Sequence, residues 1–117
     1  MLIMYCSEPT TDFVKFADGG YALITGAAGG IGKSMAHEFA KRGINLFLFD
    51  FNESLLDTTA KDLRSLYSNI ELKTRAMNLR DLIDAIKYQR FCDEVNDMKI
   101  GILFNCAGIG KVVIFYL

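Results

Sequence analysis

A chain of 117 residues has room for one domain, which buries about 65% of the surface exposed by the unfolded form, and it excludes a second. Its net charge of −1, with thirteen Lys and Arg scattered from Lys15 to Lys111, excludes a basic stripe of the kind that grips nucleic acid. Hydrophobic content of 51% is ordinary for a globular chain, and no run approaches the ~18 apolar residues of a membrane span.

Residues 1–19 read as an irregular lead-in. Its opening, Met1 to Cys6, is apolar but lacks the basic n-region of a signal peptide. Tyr21–Thr25 is the first strand, and a glycine-rich turn leads from it into a helix from Ile31 to about Arg42. Ile31, Met35 and Phe39 recur there every four residues, and Gly43 stops the helix. Ile44–Asp50 is the second strand, apolar almost throughout, as suits a strand covered on both faces.

Asn52 is placed to cap a second helix, whose stripe is Leu55, Leu56, Thr59, Leu63, Leu66 and Tyr67. Ile70–Met77 alternates, which puts a third strand nearer an edge. A third helix is expected from about Arg80 to Asn96, although the phase of Leu82, Ile83 and Ile86 slips before Phe91, Cys92 and Val95. Ile100–Asn105 is a fourth strand, and Lys111–Leu117 an apolar tail. Three successive β-α-β crossovers predict an α/β fold with an open parallel sheet in the order 3-2-1-4 and helices on both faces.

The chemistry concentrates in Thr25-Gly26-Ala27-Ala28-Gly29-Gly30-Ile31-Gly32. Backbone N–H groups at a helix start have no intrahelical partner, and with the helix dipole they favour an anion such as a phosphate. Glycines permit the tight turn, the approach of a pyrophosphate and the packing of helix on strand. Two readings fit. Ala27 to Ser34, through Gly32-Lys33, matches a loose P-loop, with Leu46 to Asp50 as the strand that would hold Mg²⁺. The strict P-loop needs glycine where Ala27 stands, and the dinucleotide reading uses the whole turn.

The turn and Asn105-Cys106-Ala107-Gly108, 80 positions further on, together resemble the short-chain dehydrogenases/reductases, and Tyr21 to Gly26, Gly30 to Ser34 and the Ala40-Lys41-Arg42-Gly43 helix end look most like their hydroxysteroid dehydrogenase and 3-oxoacyl reductase branch. The turn and the Asn105 segment fit that family's T-G-x-x-x-G-x-G and N-N-A-G motifs, with Cys106 in place of the second Asn. The resemblance covers residues 20–110 and implies a Rossmann-type, dinucleotide-binding domain. It implies that Gly26, Ala28, Gly30, Ile31 and Gly32 surround the pyrophosphate, and that Asp50 binds the adenosine ribose hydroxyls. Asn78 and Leu79 stand where the family binds adenine, Asn78 replacing the usual Asp; Asn105, Ala107 and Gly108 would line the ribose side. Asn105 as a buried amide stitching two strands is an equally good reading and compatible with ligand contact.

A carboxylate at Asp50, with Gly29 and Phe51 where NADP-preferring relatives carry Arg or Lys, favours NAD over NADP. Lys33 reads as a solvated helix residue, Cys106 as a small buried one, and His37 supports no Ser-His-Asp scheme. Asp81, Asp84, Asp93, Glu94 and Asp97 read as helix-surface charges, since no His or Cys joins them at metal-ligand spacing. With no CxxC pair among Cys6, Cys92 and Cys106, a reducing, cytoplasmic setting is expected, although the branch resemblance allows a membrane-associated parent.

The resemblance also implies a catalytic Ser and a Tyr-x-x-x-Lys pair on a later helix. Neither is found: Tyr5, Tyr21, Tyr67 and Tyr88 are followed four residues on by Pro9, Thr25, Glu71 and Cys92. The expectation is therefore a domain truncated after strand four, inactive alone and lacking the family's dimer interface. Strand four would be an exposed edge through which the apolar tail could associate. A non-catalytic dinucleotide-binding or interaction module remains the alternative in function.

Overall fold

The computed structural model describes residues 12–106 and 113–116. In chain order the elements are α1 (Phe13–Ala17), β1 (Tyr21–Thr25), α2 (Gly30–Lys41), β2 (Asn45–Asp50), α3 (Glu53–Leu66), β3 (Leu72–Ala76), a 3-10 turn (Leu79–Ile83), α4 (Ala85–Asn96), β4 (Ile100–Asn105) and β5 (Val113–Tyr116). They form one sheet in the order β3-β2-β1-β4-β5. The first four strands are parallel, in the predicted 3-2-1-4 arrangement.

β5 corrects the expectation of an exposed fourth strand. It pairs antiparallel with β4, Asn105 opposite Val113 and Ile102 opposite Tyr116. The segment expected to associate with another sheet thus completes its own. An apolar, β-prone run satisfies the unpaired N–H and C=O groups of β4 at the first opportunity the chain offers.

The core has two layers, one on each side of the sheet. On one side Ala22, Ile24, Leu46, Leu48, Ile102 and Phe104 meet α1, α2 and α3 through Phe13, Ala36, Phe39, Leu56 and Leu63. Phe39 lies edge-on to Phe13 and to Phe104, ring centroids 5.2 and 6.5 Å away. On the other side Tyr21, Leu23, Phe47 and Phe49 are covered by Phe91 and Val95 of α4. β2 is buried on both faces, as its unbroken apolar run requires.

Four local expectations need correction. The lead-in contains α1, capped by the Asp12 carboxylate on the Lys15 N–H at 3.1 Å. It lies so close to β4 that a Cβ on Gly101 would stand 2.6 Å from the Ala17 Cα. In α2 the buried stripe is Gly32, Ala36, Phe39 and Ala40, leaving Ile31 57% exposed. In α3 it is Leu56, Thr59, Ala60 and Leu63, with Leu55 and Leu66 on the outside. The phase slip expected within one third helix is a break: Asp84 ends the 3-10 turn and caps α4, its Oδ1 accepting from the N–H groups of Ile86 (2.9 Å) and Lys87 (3.1 Å).

Candidate functional site

β1 ends at Thr25, and Gly26 turns the chain at φ +67°, a left-handed conformation suited to glycine. The turn is tied to β2 by the Ala27 N–H donating to the Phe49 carbonyl at 3.0 Å. α2 begins at Gly30 behind Gly29, an N-cap with no side chain to satisfy the first N–H groups.

Two glycines here have different causes. A Cβ on Gly32 would stand 2.2 Å from the Gly26 carbonyl oxygen, so the close packing of α2 on the turn requires its absence. A Cβ on Gly30 would meet nothing within 4 Å. The fold does not require Gly30 to lack a side chain.

Across from the turn, Asp50 closes β2 and is only 9% exposed. Its Oδ2 accepts from the Ala28 N–H at 3.0 Å and its Oδ1 from the Asn52 N–H at 2.9 Å. These two backbone bonds fix the carboxylate, and each oxygen retains capacity for another donor. The Asp50 carbonyl accepts from the Met77 N–H at 3.0 Å, which brings the end of β3 alongside. Asn78 follows, its Oδ1 accepting from the Arg80 N–H at 3.0 Å to start the 3-10 turn.

At the ends of β1 and β4 the Thr25 hydroxyl donates to Asn105 Oδ1 and accepts from the Cys106 N–H at 3.0 Å. Asn105 therefore has the strand-stitching role.

These elements enclose a cleft of about 690 Å³ at the carboxyl ends of the strands. Of the sequence-predicted residues, Gly26, Gly30, Ile31, Asp50 and Asn78 form its wall. Ala28, Gly32 and Asn105 stand behind it, holding Asp50, α2 and Thr25 in place. Ala107 and Gly108 lie outside the described residues, as does the side chain of Leu79.

The wall also includes Thr25, Gly29, Phe49, Phe51, Met77, Arg80 and Cys106, none of which had been assigned to it. Phe51, 79% exposed, offered one signal: a large apolar residue directly after the predicted ribose carboxylate. Arg80 offered none, since an arginine early in a predicted helix reads as a solvated charge. His37 packs edge-on to Tyr67, with centroids 5.9 Å apart.

An open parallel sheet with its cleft beyond the carboxyl ends of the strands, where the order reverses between β1 and β4, is the doubly wound α/β architecture. A family model described as short chain dehydrogenase matches residues 20–116, and the chain belongs to that family. It is 38% identical over 98 residues to a very-long-chain 3-oxoacyl-CoA reductase of Caenorhabditis briggsae, covering 84% of this chain and 31% of that protein. With a very-long-chain 3-oxoacyl-CoA reductase of Podospora anserina it shares 38% over 90 residues, 77% of this chain and 26% of the relative. The chain thus spans about a third or less of the length of these relatives.

Among solved structures, a short-chain dehydrogenase from Sphingobium yanoikuyae in complex with NADPH is 34% identical with a TM-score of 0.66, covering 79% of this chain and 35% of that one. A bulky-bulky ketone specific alcohol dehydrogenase from Comamonas testosteroni is likewise 34% identical, with a TM-score of 0.65, covering 79% of this chain and 37% of that one. No helix among the described residues is long and apolar enough to cross a membrane.

Proposed function

We propose that this chain is the dinucleotide-binding part of a nicotinamide-dependent short-chain oxidoreductase, and that NAD fits it better than NADP. The observation that carries the reading is the open space at Gly30. A glycine at an uncapped helix start, facing a cleft and not required by packing, leaves backbone N–H groups bare to a pyrophosphate. Gly26, Ile31 and Gly32 complete that turn, and the Ala28 N–H orients Asp50 toward a ribose diol.

Asp50 is also the ground for NAD. Its carboxylate accepts from ribose hydroxyls but repels a 2′-phosphate, and no Arg or Lys stands at Gly29 or Phe51 to offset it. The relatives from Sphingobium and Gluconobacter are described as complexed with NADPH, so the preference rests on Asp50 and not on kinship. Asn78 lines the cleft beyond Asp50, and the family resemblance would add Leu79 to the adenine end and Asn105, Ala107 and Gly108 to the ribose side.

When bound, the cofactor gives or takes the hydride exchanged with an alcohol or ketone. This chain's residues bind and orient it. No Tyr-x-x-x-Lys pair that would move the proton of the carbonyl occurs in the 117-residue sequence, and the expected behaviour of the chain by itself is binding without turnover. A cytoplasmic setting agrees with the free thiols of Cys92 and Cys106. The P-loop alternative finds little to work with, since Ala27 is fully buried and its N–H is bonded to Phe49.

Calorimetry with NAD, NADP, ADP-ribose and ATP–Mg²⁺ tests the proposal. Binding of NAD and ADP-ribose is expected, with NADP weaker and Asp50→Ala narrowing the gap between NAD and NADP. Preference for ATP–Mg²⁺ would revive the P-loop; NADP preferred by the wild-type chain would overturn the role of Asp50.

A further inference from the structure

Asp50 is oriented by two backbone N–H groups from different parts of the chain. The Ala28 N–H reaches Oδ2 from the glycine turn at 3.0 Å, and the Asn52 N–H reaches Oδ1 from two residues further on at 2.9 Å. A single bond would leave the carboxylate free to pivot about it, whereas bonds to both oxygens fix its plane. The glycine turn is itself held to β2 by the Ala27-to-Phe49 bond at 3.0 Å. What holds residue 52 is the start of α3.

Asn52 is the N-cap of that helix. Its Oδ1 accepts from the Leu55 N–H and from the Ser54 hydroxyl, each at 3.1 Å, and its carbonyl accepts from the Leu56 N–H at 3.0 Å. These bonds keep its backbone extended, at φ −93° and ψ 97°, with its own N–H on Asp50. Buried Leu56, Thr59, Ala60 and Leu63 anchor α3 in turn. Two Asx turns are thus nested, the carboxylate of residue 50 accepting from residue 52 and the amide of residue 52 from residue 55. Phe51, between them, is 79% exposed, so packing of its side chain does not supply the rigidity.

We infer that Asn52 is a positioning residue for the cofactor-binding carboxylate, and that by capping α3 it holds Asp50 in the orientation that distinguishes a ribose diol from a 2′-phosphate. The inference rests on the dinucleotide reading, which gives Asp50 its task. Discrimination depends on the carboxylate staying where it is. Pinned through both oxygens, it accepts from a hydroxyl and cannot retreat from a phosphate. Held by Ala28 alone it can turn aside, so that the diol loses an acceptor and the phosphate loses an opposing charge. The cap then contributes to specificity in addition to the stability that any N-cap adds.

The test is calorimetric titration of NAD and of NADP into the 117-residue chain and into Asn52→Ala, Asn52→Ser and Asp12→Ala. Serine caps a helix about as well as asparagine does, and alanine does not. Asp12→Ala removes the cap of α1, which packs on β4 away from Asp50, and is the control for a lost cap elsewhere. Asn52→Ala should lower the ratio of NAD to NADP affinity by about threefold or more, and Asn52→Ser should keep it within about twofold of wild type. Asp12→Ala should leave the ratio unchanged. Because both ligands meet the same folded fraction, a cap that only stabilised α3 would not move it.

Hydrogen exchange in the free chain gives a second reading that needs no ligand. Protection of the residue 52 amide, measured against its intrinsic rate, should fall in Asn52→Ala and persist in Asn52→Ser. If wild type prefers NAD and Asn52→Ala keeps both its ratio and this protection, or Asn52→Ser loses the ratio as alanine does, the positioning role is wrong and the dinucleotide reading stands. If wild type binds neither NAD nor NADP, the dinucleotide reading is wrong and the positioning role falls with it.

Discussion

Gly32→Ala and Gly30→Ala add the same methyl group two positions apart in one turn, and opposite consequences are expected. At Gly32 the new Cβ would stand 2.2 Å from the Gly26 carbonyl oxygen and 2.8 Å from its carbon, about 1 Å inside ordinary contact. Both atoms are backbone, held by the left-handed turn at Gly26 and by the Ala27-to-Phe49 bond, so α2 must move. Movement of α2 pulls Ala36, Phe39 and Ala40 out of register with the sheet. Overpacking of this kind costs about 3 kcal/mol, at the upper end of its usual range because no side chain can rotate away. A chain of this length has roughly 6–18 kcal/mol of stability in all, and the loss should lower its melting temperature by about 10 °C or more.

At Gly30 the methyl meets nothing within 4 Å, and stability should be unchanged or raised by up to about 1 kcal/mol, because alanine is the better helix former. The same methyl projects into the space proposed for the pyrophosphate, so ADP-ribose affinity should fall tenfold or more. Thermal denaturation and calorimetry on the two variants measure both effects. The reasoning would be refuted if Gly30→Ala destabilised the chain as much as Gly32→Ala, or bound ADP-ribose as wild type does.

Two further predictions concern protonation. Tyr21 donates to Glu71, and this bond, with burial added, pushes the phenol up to about 12 from 10.0. A raised folded value means the contribution to stability is complete below pH 10 and is lost as pH rises through about 12. An ultraviolet titration of the phenols should show a late component that Glu71→Ala reduces by one group, distinct from Tyr88, which its hydrogen bond with Cys92 also raises; no change in the late component on Glu71→Ala would count against the bond. Asp84 is held below its usual carboxylate range, chiefly by the Lys87 N–H and also by the Ile86 N–H. Its contribution is therefore present above 3.8 and lost as pH falls through the lowered value. Protection of the first-turn amides of α4, measured against their intrinsic exchange rates, should fall as Asp84 is protonated, whereas in Asp84→Ala it should be low already at neutral pH.

Much of the architecture is legible because each strand carries its own signal. The unbroken apolar run of β2 says that it is central, and the alternation of β3 says that it is not; the sheet order agrees. Helix faces were less legible. Leu55 and Leu66 are as apolar as Leu56 and Leu63, and only packing on β2 and β3 decides which pair is buried. α1 is five residues long, too short for a periodic pattern, and depends on its fit over Gly101.

Site residues divide in the same way. Glycines and Asp50 announce themselves by spacing, while Phe51 and Arg80 are single surface residues that only the folded chain brings to one cleft.

The central claim, that this turn and the ends of β2 and β3 form a dinucleotide site, is tested most directly by a ¹⁵N-¹H correlation titration of the labelled chain with ADP-ribose. Amide shifts should concentrate at Gly29–Gly32, Asp50–Phe51 and Met77–Arg80, with the far ends of the strands unmoved. Saturating ADP-ribose that shifts none of these amides, or shifts others in their place, would contradict the account.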